Sequence, residues 1–365
     1  MDLAARLRRL RLELKENDLD FLLVTHPPNI RYLSGFTGSS GVLLIAATKS
    51  GTKPILFTDS RYRTQAREEA PRVKIVIGPN PPSRTAAGWI TAQHGTSSVF
   101  LGIEAESVSA AAYKRLASLL KGKVRLSFAP PLIERARMVK DAAEMAFIRQ
   151  AVKLGATLFD TACKTIRPGI KEIEVAAAME YAARRAGAEG MSFPTIVASG
   201  ERSAIIHGRA SEARIPRSGF VVCDFGVILA GYCSDRTRTV QVGQPSKGAR
   251  YLYNSVLEAQ LEAIAKVRPG VTCAEVDGAA RRVLRKHKLD RFFTHSTGHG
   301  LGLEIHEAPR LAVRQDQKLE PGMVVTIEPG AYIPGKWGVR IEDVVVVTSS
   351  GCEVLTPGDK DLVVI

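Results

Sequence analysis

A short motif occurs twice in this chain, and the interval between its copies limits the folds open to it. Arg167-Pro168-Gly169-Ile170, followed by Glu174-Val175, returns as Arg268-Pro269-Gly270-Val271, followed by Glu275-Val276, each pair 101 residues apart. Pro-Gly ends one helix and turns the chain, and an acidic residue just beyond marks the first turn of the next. Each copy therefore predicts a helix, a turn and a second helix, the latter over about 171–187 and 273–287. Strand-like apolar runs follow both copies. This predicts an internal duplication, with two helices and then sheet in each half, folded around one shared centre.

The strands of both halves carry acids. In FVVCDFGVILAGYCSDRTRTVQVG a hairpin is predicted with Asp224 on one arm and Asp235 on the other. MVVTIEPGAYIPGKWGVRIEDVVVV repeats the arrangement with Glu328 and Glu342. The neighbours Val221, Val222, Phe225, Val324, Ile327 and Ile341 are apolar, so these acids are expected to be buried. A lone buried carboxylate is heavily penalised unless it is paired or binds a metal. Surface-facing alternation excuses one such residue, and explains four poorly.

Between these strands lies HSTGHGLGLEIHEAP, His295 to Pro309, which holds three of the chain's seven histidines. Gly298, Gly300 and Gly302 alternate around His299, so the backbone there can approach another group closely. Four carboxylates and one imidazole form a ligand set for two divalent cations, whose charge would neutralise the cluster. Oxygen-rich donors with a single nitrogen suit Mn²⁺ or Co²⁺, and also accept Zn²⁺. Two such ions lower the pKa of a shared water and polarise a carbonyl, which points to metal-assisted hydrolysis.

Residues 1–130 read differently. Leu3, Leu7, Leu10 and Leu14 recur at helical spacing, which predicts an amphipathic first helix in spite of its many arginines. Six short apolar runs between residues 21 and 129, with helical stretches near 60–70, 84–93 and 107–120, predict an α/β domain with a partly parallel sheet. A linker is placed at 131–137 and a second domain at 138–365. The formal charge of +14 is concentrated early, with 21 Lys+Arg against 11 Asp+Glu in residues 1–137. No basic run is interleaved with aromatics and no zinc-finger spacing occurs, so no nucleic-acid partner is expected. Five cysteines without a CxxC pair predict reduced thiols and a cytoplasmic setting. No apolar run approaches the length of a bilayer span, so no membrane partner is expected.

Asp224, Asp235, His299, Glu328 and Glu342 resemble, in order and spacing, the five metal ligands of the pita-bread metallopeptidases. Within that superfamily the chain is similar to the Xaa-Pro peptidases, aminopeptidase P and prolidase, and PPNIRYLSGFTGSSG (27–41) resembles their N-terminal domain. The resemblance implies a creatinase-like α/β N-terminal domain, a mixed sheet with flanking helices. It implies an α+β pita-bread catalytic domain with a pseudo-two-fold duplication, two divalent metal ions (most often Mn²⁺), proline-containing peptide substrates and a homodimer. It makes Glu328 the proton shuttle as well as a ligand. His306 would stabilise the tetrahedral intermediate, His207 would contact substrate, His295 would belong to the substrate pocket, and Arg340 would support the acids. Arg314, with Arg310 close by, lies where prolidases hold a cation for the substrate carboxylate.

The N-terminal similarity favours the aminopeptidase, which removes the first residue from longer Xaa-Pro peptides. The alternative is a dipeptidase restricted to Xaa-Pro. Methionine aminopeptidases have no need of residues 1–130. A non-catalytic binding protein of the same fold is a third reading, but such relatives usually lose the ligands.

Overall fold

The six apolar runs of the N-terminal region become one sheet in the computed structural model, which describes residues 2–47, 52–94, 98–120 and 124–365. Its strands are β1 (Phe21–Val24), β2 (Gly41–Ala46), β3 (Ile55–Thr58), β4 (Lys74–Ile77), β5 (Val99–Glu104) and β6 (Val124–Ala129), in the order β4-β3-β2-β1-β5-β6. β1, β2 and β3 pair antiparallel, whereas β3–β4, β1–β5 and β5–β6 are parallel. The sheet is thus mixed. Its strands bury Leu23, Leu44, Phe57, Leu101 and Ile103 against helix residues Ala86, Ala87 and Ile90. The first helix, Leu3–Glu16, buries Leu10 and Leu14, and the Asp2 carboxylate caps it by accepting the Ala5 amide at 3.0 Å.

Pro27 and Pro28 open a helix outside the stretches expected to be helical. Pro27–Ser34 is helical, because proline in the first turn lacks only an N–H that would have no partner there, and Gly35 ends it at φ 86°. The segment expected to be a linker, 131–137, also folds differently. Helix Leu132–Met138 buries Leu132, Ile133 and Arg137, and the Arg137 guanidinium donates to Asn29 at 2.7 Å. Pro130-Pro131 precedes that helix, and the first of two compact units runs on to Arg137.

In the second unit, Met138–Ile365, the 101-residue interval is kept in three dimensions. Helices Ala142–Thr165 and Lys247–Lys266 are followed by Glu172–Arg185 and Cys273–Lys286, whose starts and ends both match at that offset. Gly169 and Gly270 take φ of 86° and 82° in the intervening turns. Glu174 and Glu275 each accept the backbone amide three residues earlier at 2.8 Å, which caps the following helix. The expected duplication therefore holds, with two helices and then strands in each half.

Each half places its acids at a strand pair. Gly219–Phe225 pairs antiparallel with Arg236–Val242, with Asp224 opposite Thr237, and Asp235 stands just before the second strand. In the other half Val324–Ile327 pairs with Asp343–Val347, with Ile327 opposite Asp343. Glu328 and Glu342 are the next residue at each end. All five cysteines are free thiols. Among the described residues, no helix is long and apolar enough to cross a membrane.

Candidate active site

The strand pairs bring Asp224, Asp235, Glu328 and Glu342 to the floor of one cleft of about 620 Å³, together with His299. Asp224, Asp235 and Glu342 are 9%, 6% and 2% exposed. Only part of their hydrogen-bonding capacity is used. Glu342 accepts the Thr237 hydroxyl at 2.7 Å and Asp224 accepts from Arg340 at 2.5 Å, but the other oxygen of each carboxylate is buried without a partner. Without a cation the cluster resists ionisation. Burial, then Glu342, Asp224 and Glu328, push Asp235 well up, and burial followed by Glu328 and Asp224 does the same to Glu342. Glu328 is pushed up to about 8 by burial, against Arg340 and with Asp224.

His299 completes the set from strand Gly298–Gly300. Its Nδ1 lies 3.0 Å from the Gly300 carbonyl, which can only accept, so Nδ1 carries the hydrogen and Nε2 keeps a lone pair. That lone pair faces the Glu328 carboxylate at 3.3 Å and Asp235 at 3.6 Å. Burial lowers the imidazole to about 4, so it is neutral near pH 7. Lone pairs turned towards carboxylate oxygens repel unless a proton or a metal cation lies among them. Donor atoms of Asp235, His299 and Glu342 all fall within 4.8 Å of one another. Orphaned oxygens, a free imidazole nitrogen and unbalanced charge fit a divalent metal centre.

The glycines around His299 are required by close approach. A Cβ on Gly298 would stand 1.9 Å from the Thr326 carbonyl oxygen, and one on Gly300 would stand 2.3 Å from that of Ala308. Backbone atoms cannot give way as a flexible side chain can. Gly298→Ala is expected to cost about 3 kcal/mol, the upper end of overpacking effects, visible as a lower denaturant midpoint. An unchanged midpoint would mean that the strand has room to shift.

Arg340 lies behind the acids, 3% exposed. Burial opposes its charge, but Tyr332, Asp224 and Glu328 outweigh that and raise its pKa well above the ordinary value. Besides Asp224, its guanidinium reaches the Tyr332 hydroxyl at 2.8 Å. That hydroxyl meets Nε2 of His295 at 2.9 Å, while His295 Nδ1 lies 2.8 Å from the Ser296 carbonyl. Both ring nitrogens of His295 are thus occupied, and burial, with Arg340 next, lowers it to about 4. It borders the cleft with both nitrogens engaged within the protein.

His207 and His306 are exposed on the cleft wall. The His306 ring packs edge-on against His299 with centroids 4.4 Å apart, and burial followed by His207 depresses its pKa. Arg314 is displaced from its expected place. It is exposed beyond strand Glu307–Leu311 and does not line the cleft, whereas Arg310 does. In the register of that strand Arg310 is directly opposite His299, so both side chains share a face. The strand register sets Arg310, itself exposed, on the cleft side beside His299, and the chain leaves Arg314 outside.

Tyr332 was not anticipated. It sits in the hairpin Gly330–Ile333/Trp337–Arg340, and a Cβ on Gly330 or Gly338 would strike its ring or hydroxyl within 2.8 Å. Glycines on both sides of an aromatic residue in a hairpin were the available signal. Asp277 was also passed over. It fixes the approach to His299 by accepting the Thr297 amide at 3.2 Å and hydroxyl at 2.8 Å.

Comparison with known proteins agrees with this geometry. The family described as metallopeptidase family M24 matches residues 146–349, and the creatinase/prolidase N-terminal domain matches 6–139. The solved structure of an Xaa-Pro dipeptidase from Bacillus anthracis is 39% identical, with a TM-score of 0.93 and full coverage of both chains. An X-Pro aminopeptidase from Thermotoga maritima MSB8 is 36% identical, with a TM-score of 0.89 and 99% coverage of each chain. The Xaa-Pro dipeptidase of Pyrococcus horikoshii is 36% identical over 350 residues, 95% of each protein. With both domains matched and the acid and histidine cluster assembled, this chain belongs to metallopeptidase family M24.

Proposed function

We propose that the protein is an Xaa-Pro dipeptidase with two divalent ions, most readily Mn²⁺, held by Asp224, Asp235, His299, Glu328 and Glu342. The observation that carries the dipeptidase reading is Arg310, which faces the same cleft as His299 and has no ion pair among the described residues. A dipeptide ends in a carboxylate just beyond its proline, and a guanidinium is suited to grip it. This replaces the aminopeptidase expectation drawn from the N-terminal similarity. Several of the similar proteins are named as dipeptidases or prolidases, in agreement with the change, although two aminopeptidases are among them.

Bound divalent ions supply a nucleophile from water at neutral pH and Lewis-acid polarisation of the scissile carbonyl. The protein's own groups do the rest. Glu328 receives a proton and passes it to the prolyl nitrogen, a tertiary amide nitrogen that must be protonated as it leaves. His306, neutral and exposed on the wall, donates an N–H to the developing oxyanion. His207 meets the substrate from the opposite loop, and Arg340 restrains Asp224 so that one of its oxygens stays free for metal.

Rates on matched Xaa-Pro and Xaa-Pro-Yaa peptides, after metal removal and readdition of Mn²⁺, Co²⁺ or Zn²⁺, test the reading. Turnover should be confined to the dipeptides. Arg310→Ala should raise KM for Xaa-Pro about tenfold or more, as expected for loss of a charge-assisted pair, and leave the amidated dipeptide little changed. Equal cleavage of tripeptides would return the assignment to the aminopeptidase.

A further inference from the structure

Glu172 is fully buried at the first position of helix Glu172–Arg185, and it is not one of the acids of the cleft. Its carboxylate is saturated by one loop. Oε1 accepts the Ser199 amide at 2.8 Å and hydroxyl at 2.9 Å. Oε2 accepts the Ser211 amide at 3.2 Å and hydroxyl at 2.7 Å. The Nε of Arg202 donates to both oxygens, at 3.2 and 3.1 Å, and its Nη2 continues to the Arg209 carbonyl at 2.9 Å. Ser199 and Ser211 are the two ends of a loop, and His207 and Arg209 lie between them on the wall of the cleft.

The internal duplication gives an independent comparison. The residue 101 positions later is Cys273, which begins its helix at the equivalent turn with the same backbone pairing and no carboxylate. The helix–turn–helix unit therefore does not need an acid at that position. A buried carboxylate costs desolvation that an apolar residue avoids, and only its full set of donors offsets this. What distinguishes the first half is that this acid ties down the loop that carries His207.

We infer that Glu172 is a positioning residue for substrate binding: it closes the 199–211 loop at both ends and through Arg202, and so fixes where His207 meets the substrate. The inference rests on the reading of His207 given above. It acts on binding geometry, since neither Glu172 nor Arg202 borders the cleft.

A double-mutant cycle with Glu172→Gln and His207→Ala, read by steady-state kinetics and amide hydrogen exchange, tests it. Glu172→Gln should raise KM for an Xaa-Pro dipeptide roughly tenfold with little change in kcat, and the double variant should be no worse than His207→Ala alone. Exchange should rise in 199–211 while helix Lys247–Lys266 keeps its protection. Should Glu172→Gln fail to fold, Arg202→Lys removes the planar fork with less disturbance and carries the same cycle. Additive effects, or unchanged exchange in the loop, would overturn the inference and leave Glu172 a packing residue. If His207→Ala alone left KM unchanged, the fault would lie with the reading of His207, and the exchange rates would still decide whether Glu172 holds the loop.

Discussion

Replacing Glu328 with glutamine is expected to lower kcat about a thousandfold, within the range found for loss of a general acid–base, while bound metal stays nearly intact. Glutamine keeps one carbonyl oxygen of similar reach, so coordination suffers less than proton transfer. The native carboxylate faces the His299 Nε2 at 3.3 Å and receives the Thr326 hydroxyl at 3.2 Å, so its place at the centre does not depend on a proton. Elemental analysis of dialysed protein beside turnover of an Xaa-Pro dipeptide separates the two effects. Retained activity would remove Glu328 from its role. Asp224→Asn and His299→Ala serve as contrasts, since both should lose metal.

Metal removal should make stability fall with rising pH. Glu328 is raised to about 8 against an ordinary 4.5, and Asp235 and Glu342 move the same way, all three mainly through burial. In the metal-free protein the native state holds protons that the unfolded chain has already released. Their stabilising contribution is therefore complete below about pH 4.5 and is lost as pH rises towards 8. Divalent ions replace those protons, so metal should rescue stability most at the upper end of the window and release protons as it binds. At a hundredfold excess over Kd the gain is about 2.7 kcal/mol. Tm of chelated protein across this range, with and without Mn²⁺, gives the answer, and calorimetry in two buffers counts the protons. A Tm that climbs with pH in the chelated protein, or ignores metal, would contradict this account of the acids.

The acids and His299 were legible because their sequence context was inconsistent with ordinary burial. Polar residues stood where strand patterning demanded apolar ones, twice over, in related halves. The same logic was blind to the difference between Glu342 and its neighbour. Asp343 is equally buried, but Arg238 at 2.8 Å, Gln260 at 2.9 Å and Lys360 at 2.6 Å satisfy it. Nothing local separates them, because two of the three partners, Arg238 and Gln260, lie 105 and 83 residues away in the chain. The partner of His295 was invisible for a related reason, since the Tyr332 hydroxyl that meets its ring belongs to a different hairpin.

By itself the sequence determined the duplication, the α/β domain before it and the five residues proposed to hold metal. These are properties of spacing and periodicity, which local chain geometry imposes and the sequence therefore records. The tertiary structure alone decided that Arg310 rather than Arg314 reaches the cleft, that residues 131–137 are helical, and that Glu172 secures the loop bearing His207. Each depends on strand register or on side chains from distant segments sharing one desolvated space. Hydrogen bonds formed there leave no periodic trace in the chain.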